Sequence, residues 1–329
     1  MHVLLAHHGR IPVHAYGGTE RVIWDLGAGL VRRGHKVSYL APAGSSCAFA
    51  EQVIPIDAKR DWRDQIPPGV DLVHFQFDPR LPDPDALGLP WLFTEHGNPR
   101  DGRELPLNTV FISRDHARRH GSKSFVYNGL DWSTYGPVDF QQRRERCVFL
   151  AKATRPEKNI RGAIEVARRA GVDLDVLGGY RIGLKGGFRF CLSPRVHFHG
   201  MVGGQAKFGP LNASRGLIFP VLWSEPFGLA VIESLYFGSP VFATPYGAMS
   251  ELVPDSVGVL ATDADVLAEA IRTQEFDAAA CNAHAVDNFN SDRMTDGYLA
   301  CYERLLAGEL LNPAAPRRRD AEPRLTWTQ

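Results

Sequence analysis

The sequence predicts an α/β protein built of two doubly wound parallel sheets facing a central cleft. Three observations carry this. Strand-like apolar runs alternate with helix-like stretches from end to end, the pattern of a βαβ series and so of parallel sheets with helices on both faces. A length of 329 residues is about two domains' worth. The alternation also breaks between Trp132 and Arg146, a stretch rich in Pro, Gly and charge, and then restarts.

In chain order, the strands expected in the first half are Val3–Ala6, Lys36–Ala41, Leu72–Phe75, Trp91–Thr94, Val110–Ile112 and Ser124–Tyr127. Thr19–Arg33 reads as the first long helix, with Thr19 as N-cap and Gly34 as its stop. The second half runs through Cys147–Ala151, Asp173–Gly178, Val196–Phe198, Leu217–Pro220, Pro240–Ala243 and Gly258–Leu260. The domains are therefore expected at 1–140 and 141–290. A last helix, near Asp292–Gly308, falls within a 291–311 segment, and the Pro- and Arg-rich tail 312–329 is expected to be disordered. The Arg317–Arg319 triplet in it reads as a solvated end rather than an interaction arm.

Hydrophobic residues make up 44% and charged residues 22%, as in a soluble globular protein. A formal net charge of zero gives no reason to expect a nucleic-acid partner. No apolar run reaches the 18 or so residues of a membrane span. Met1–Ala6 reads as a first strand and not as a signal peptide. The five cysteines are scattered, odd in number and free of any CxxC, which points to free thiols in a cytoplasmic protein.

The most informative stretch is Ser224-Glu225-Pro226-Phe227-Gly228-Leu229-Ala230-Val231-Ile232-Glu233. The apolar run Gly216–Val221 precedes it, and Leu229–Phe237 after it reads as a helix stopped by Gly238 and Pro240. The order is strand, tight loop, helix. Gly228 lets a ligand approach the backbone, and the N–H groups of Phe227, Gly228 and Leu229 at the helix start suit a diphosphate. The plain alternative makes Glu225 an N-cap and Glu233 a solvated helix residue. Against it, a strongly apolar strand leads in, so the loop lies at a strand's carboxyl end, where open α/β sheets bind ligands.

This E-x7-E block, with Phe-Gly after the first Glu, resembles the signature of retaining GT-B glycosyltransferases of family 4 (glycosyltransferases group 1). The resemblance implies the GT-B architecture, two Rossmann-like domains of which the first binds acceptor and the second the nucleotide sugar. It also implies that the last helix crosses back to the first domain, with Tyr298 and Tyr302 on one face for this. By resemblance, Glu225 contacts the donor sugar, Phe227, Gly228 and Leu229 contact sugar and phosphate, and Glu233 holds the ribose hydroxyls.

Tyr16-Gly17-Gly18-Thr19 follows the first strand and opens a helix, so its backbone can approach an anion. It fits neither the P-loop nor the Rossmann dinucleotide motif, and an ordinary glycine turn is the alternative. The family has a Gly-Gly loop in this place, which implies that Gly17 and Gly18 lie under the donor diphosphate. Lys152 and Lys158 follow a strand and suit a leaving diphosphate, or else a solvated loop. The family carries an Arg where Lys152 stands, so the bidentate fork is lost and Arg155 is a second candidate. His96 closes Trp91–His96, and the family's His there contacts the sugar near the reacting carbon. By resemblance again, Gly178 lies near the nucleotide, and the segment from His199 to Lys207 holds the base through Val202. Tyr246-Gly247-Ala248 stands where the family has Gly-Gly, with Ala248 as a departure. Val126–Asp131 resembles a family turn of structural role. Nine of the 12 histidines lie in residues 1–140. They include His7, His8, His14 and His74, and some of the nine are expected to line the acceptor cleft.

Other spacings carry less. His197-x-His199 has no third ligand nearby for a metal. Asp83-x-Asp85, Asp173-x-Asp175 and Asp263-x-Asp265 are read as chance. The expected activity is retaining, metal-independent hexosyl transfer from a nucleoside-diphosphate sugar, UDP rather than GDP, to a hydroxyl acceptor, with no cofactor. In it Glu225 and His96 hold the sugar while Lys152, Lys158 and the 227–229 amides stabilise the departing diphosphate. No nucleophilic carboxylate is evident, with Glu95 and Glu20 left open. Relatives act on lipids, polysaccharides and natural products. Residues 1–140 hold 15 Lys+Arg against 16 Asp+Glu, which gives no strong membrane-docking signal and favours a natural product or oligosaccharide. The alternatives within the fold are a nucleotide-sugar epimerase, a glycoside phosphorylase and a non-catalytic nucleotide-sugar-binding protein.

Overall fold

The structure is a computed structural model that describes residues 1–12, 17–57, 59–81, 85–99, 101–183, 189–319 and 325–328. The chain divides into two units. The first holds residues 1–12, 17–131 and 289–319, and the second holds 132–288 and 325–328.

In the first unit the strands are β1 (His2–Ala6), β2 (Lys36–Ala41), β3 (Gln52–Pro55), β4 (Leu72–Phe75), β5 (Trp91–Glu95) and β6 (Thr109–Phe111). Its helices are α1 (Gly18–Arg32), α2 (Arg114–Arg119) and α9 (Ser291–Leu306). The sheet order is β3-β2-β1-β4-β5-β6, all parallel. Winding therefore reverses between β1 and β4. In β1, β4 and β5 nearly every residue is buried, which is why these strands read as continuous apolar runs.

The second unit has β7 (Arg146–Leu150), β8 (Leu174–Leu177), β9 (Ile182–Gly183), β10 (Arg189–Phe190), β11 (Val196–Phe198), β12 (Ser214–Phe219), β13 (Val241–Ala243) and β14 (Gly258–Leu260). Its helices are α3 (Ile160–Ala170), α4 (Gln205–Asn212), α5 (Leu229–Tyr236), α6 (Met249–Leu252), α7 (Ala264–Thr273) and α8 (Ala278–Asn288). The main sheet runs β11-β8-β7-β12-β13-β14, again all parallel, with the reversal between β7 and β12. β9 and β10 form a short antiparallel pair apart from it.

Three expectations need correction. Ser124–Tyr127 is not a strand, and only Phe125 makes a single bridge, to Phe111. β3 is not evident in the sequence because only Val53 and Ile54 of its four residues are typical of a strand, and both are only partly buried. Thr19 is not the cap of α1: the helix starts one residue earlier, behind Gly17, with no side-chain cap.

The tail is the largest departure. Residues 312–319, expected to be disordered, lie on the first unit. Asn312 is buried and its Nδ2 donates to Leu107 O (2.7 Å) and Thr109 O (2.8 Å). The N–H groups of Arg317 and Arg319 donate to His120 O and Arg119 O, both at 3.0 Å. In the second unit Thr328 pairs with residues 262–264. Charge and proline hid these contacts, which are made mostly by backbone.

The last helix, α9, packs in the first unit against α1. Tyr298 and Tyr302 are both buried. Tyr302 Oη meets His74 Nδ1 at 2.8 Å, Thr94 Oγ1 meets Tyr298 Oη at 3.0 Å, and His74 Nε2 meets Thr94 Oγ1 at 2.7 Å. Among the described residues no helix is long and apolar enough to cross a membrane.

Candidate active site

The parallel strands of the second sheet end at one edge, and the winding reversal between β7 and β12 marks where such sheets take ligands. The two segments leaving these strands are tied together. Asn159, at φ 53°, caps α3 by accepting from Gly162 N at 3.0 Å, and its Nδ2 donates to Pro220 O at 2.9 Å. Leu222 N also donates to Glu157 O at 2.8 Å. These bonds carry Lys158, which ends the turn Pro156–Lys158, across to the loop after β12.

There Lys158 Nζ donates to Glu225 Oε2 at 2.5 Å, with both side chains largely buried. Trp223 Nε1 donates to the same oxygen at 2.6 Å. The ammonium lies 4.9 Å from the Trp223 ring centroid and 5.2 Å from that of Phe219, which supplies cation–π attraction. Lys152 stands exposed just past the end of β7. Arg155 pairs with Glu157 at 2.6 Å and lies over the Trp223 ring at 5.5 Å.

The Glu225 backbone is pinned as well. Its carbonyl accepts from Ala248 N at 2.9 Å, and Gly247 bridges to it. A Cβ on Gly247, at φ 66°, would lie 2.2 Å from Glu225 O and 2.3 Å from Glu225 N, so only glycine fits. Glu225 is not an N-cap, since that position belongs to Gly228. Phe227 is buried, and Leu229 opens α5, whose N-terminal end carries partial positive charge.

Nor is Glu233 a solvated helix residue. It is 2% exposed, and its Oε1 accepts from Tyr135 Oη at 2.6 Å and from Lys207 Nζ. Lys207 also lies against the packed rings of Tyr135 and Phe208, 5.4 and 5.3 Å from their centroids. Lys207, expected in the base-binding segment, is thus held by Glu233.

Gly178 follows β8, its N–H donating to Gly200 O at 2.7 Å and its carbonyl accepting from Ala153 N at 2.9 Å. At φ 127°, a Cβ there would strike Ala151 O at 2.2 Å, so the neighbouring strand end alone requires glycine. Val202 is half-buried between β11 and α4.

The remaining expected residues lie in the first unit. Gly17 and Gly18 open α1 after β1, and Arg21 Nε donates to Gly17 O at 3.2 Å. His96 follows β5, and its Nε2–H donates to Gln76 Oε1 at 2.7 Å. Burial first, then the nearby His7, pushes its pKa down to about 3, so its imidazole is neutral. Glu95 accepts from Gly97 N at 2.7 Å, and burial raises its carboxyl to about 7. Glu20 lies 3.7 Å from His7 Nε2. His14 and Asp83 fall outside the described residues.

The metal-like spacings resolve into pairs. His197 Nε2 lies 3.0 Å from Asp173 and His199 Nε2 2.7 Å from Asp175, while Asp263 caps α7. Among the described residues no group of three or more His, Cys, Asp or Glu is placed to hold a metal.

Two site residues escaped the sequence. Trp223 left only the sign of an indole N–H donor two residues before Glu225 in the chain. Tyr135 left no signal: it sits 98 residues from Glu233 in the chain.

Comparison with known proteins gives the fold a context. Residues 144–274 match the family model described as glycosyl transferases group 1. No curated protein matches. Solved structures of GT-B glycosyltransferases share the fold. AviGT4, a glycosyltransferase involved in avilamycin A biosynthesis, is 22% identical with a TM-score of 0.71, over 93% of this chain and 98% of that one. Sucrose-phosphate synthase from Thermosynechococcus elongatus is 18% identical with a TM-score of 0.66, over 94% and 100%. HepE of Anabaena, solved with UDP-glucose, is 17% identical with a TM-score of 0.65, over 93% and 100%. The expected resemblance thus holds by family model for residues 144–274 and by fold across the chain.

Proposed function

We propose that this protein is a retaining, metal-independent glycosyltransferase that moves a sugar from a UDP-sugar to a hydroxyl of a natural product or oligosaccharide, in the cytoplasm and without a cofactor. The observation that carries the reading is the meeting of Lys158 and Glu225 at the winding reversal of the second sheet, just ahead of the α5 N-terminus. Cation, helix start and carboxylate there answer the diphosphate and the hydroxyls of one ligand. The HepE structure with UDP-glucose, of the same fold, supports the choice of donor.

In the reaction the bond between the anomeric carbon and the diphosphate oxygen breaks. The acceptor oxygen bonds to that carbon from the face the diphosphate leaves, and its proton passes to a diphosphate oxygen. Negative charge grows on the diphosphate as it departs. Lys152, Lys158 and the amides of 227–229 offset it, and fixed donors aimed at developing charge are the strongest kind of catalytic contribution. Gly17 and Gly18 offer backbone to the same diphosphate, Gly178 and Val202 border the nucleotide, and Glu233 serves the ribose. The neutral imidazole of His96 suits a hydrogen bond to a sugar hydroxyl rather than a charge contact.

The test is a thermal-shift titration with UDP, GDP, ADP and dTDP, each with Mg2+ and with EDTA. UDP at about 100 times its dissociation constant should add roughly 2.7 kcal/mol. The shift should ignore EDTA and weaken in Lys152→Ala. A shift with GDP or dTDP alone would keep the site and change the donor, and no shift with any nucleotide would overturn the reading.

A further inference from the structure

The two oxygens of the Glu225 carboxylate are unequally used. Oε2 accepts from Lys158 Nζ at 2.5 Å and from Trp223 Nε1 at 2.6 Å. Among the described residues, Oε1 accepts from none. Trp223 also gathers cations on its ring: Lys158 lies 4.9 Å and Arg155 5.5 Å from its centroid. The indole therefore holds the carboxylate at one edge and the carboxylate's own cation over its face. Because the Glu225 backbone is fixed by Ala248 and Gly247, only the side-chain torsions remain to be set. Two donors on Oε2 set them and leave Oε1 as the oxygen presented to a ligand.

We infer that Trp223 is a positioning residue. It fixes the rotamer of Glu225 so that Oε1 accepts a hydroxyl of the donor sugar, while the nucleotide is bound without its help. This rests on the donor site proposed above. A residue that acts through Glu225 has three consequences. It should affect the sugar and not the nucleotide. It should be silent once Glu225 is gone. Its N–H should matter even when its ring is kept.

Trp223→Phe keeps an aromatic face for the cations and deletes the N–H. Binding of UDP and of UDP-glucose is to be measured by calorimetry for the wild type, Trp223→Phe, Glu225→Ala and the double variant. Trp223→Phe should leave the UDP dissociation constant within about twofold and weaken UDP-glucose about tenfold, as expected for a lost hydrogen bond to a charged group. The double variant should be no worse than Glu225→Ala, the non-additivity expected of residues in one network. In the ligand-free protein, the Trp223 indole N–H resonance, identified among the six tryptophans by its loss in Trp223→Phe, should move when Glu225 becomes Ala.

Equal weakening of UDP and UDP-glucose would show a merely structural role and overturn the inference. So would additive losses in the double variant, unchanged UDP-glucose binding in Trp223→Phe, or an indole signal indifferent to Glu225. A wild type that binds no UDP-, GDP-, ADP- or dTDP-sugar would overturn the donor reading and this role with it, even where the indole signal shows the contact.

Discussion

The ammonium of Lys207 and the carboxylate of Glu233 meet inside the second unit with side chains 7% and 3% exposed, and Tyr135 completes the group. Charges so far from water are tolerable only together. Removing one leaves the other buried and unpaired, at a cost of about 3–5 kcal/mol. Lys207→Ala should therefore lower the urea-unfolding free energy by roughly that amount. Replacing both, as Lys207→Met with Glu233→Leu, should recover most of it. A Lys207→Ala variant of wild-type stability would show that the pair does not form in solution.

Asn312 should likewise be felt in stability, though it stands in a segment of charge and proline. Its Nδ2 donates to the carbonyls of Leu107 and Thr109, and its Oδ1 accepts from Ser122 Oγ at 2.5 Å. Each buried partner left unsatisfied costs about 1–3 kcal/mol. Asn312→Ala should thus destabilise by at least that, measured by the urea midpoint, and should speed proteolysis of residues 313–319. A free tail would give neither effect.

These two residues mark the boundary of what could be read in advance. The sheets were legible because parallel strands are buried on both faces, so Val3–Ala6 or Leu72–Phe75 stand out as unbroken apolar runs. The E-x7-E block was legible because strand, glycine turn and helix start follow one another within some twenty residues. What pairs across the chain was not. Lys207 was legible only as the end of the segment expected to hold the base, and its pairing with Glu233, 26 residues on, left no local sign. Asn312 binds backbone carbonyls, which carry no side-chain signature. Lys158, expected beside the diphosphate, also meets Glu225, a pairing set up by the contact that Asn159 makes with Pro220 and that no local pattern announces.

His74 gives a test of the last helix. Its ring is fully buried, with Nδ1 on Tyr302 Oη and Nε2 on Thr94 Oγ1, and burial holds its pKa well below the usual value. Tyr302→Phe keeps the ring and strands one imidazole nitrogen in the core. A loss of about 1–3 kcal/mol is expected, with faster amide exchange in α9. Unchanged stability and exchange would argue that α9 is held by its apolar contacts alone.

Asp25 makes the clearest pH prediction. It is buried on α1, where its Oδ2 accepts from Asp131 N at 2.9 Å, and burial, more than the neighbouring Asp131 charge, raises its carboxyl to about 7. A carboxyl whose folded pKa lies above its unfolded value of 3.8 contributes stability fully present below about pH 4. That contribution is lost as pH rises through 7, because the unfolded chain releases the proton first. The slope is about 1.4 kcal/mol per pH unit across the window. Asp25→Asn keeps an oxygen for the Asp131 N–H and has no proton to lose. Its stability relative to wild type should therefore be near zero at pH 4 and climb toward pH 8, as read from urea-unfolding free energies at pH 4, 6 and 8. A difference that stays constant over that range would mean that Asp25 ionises as freely in the folded protein as in the unfolded chain.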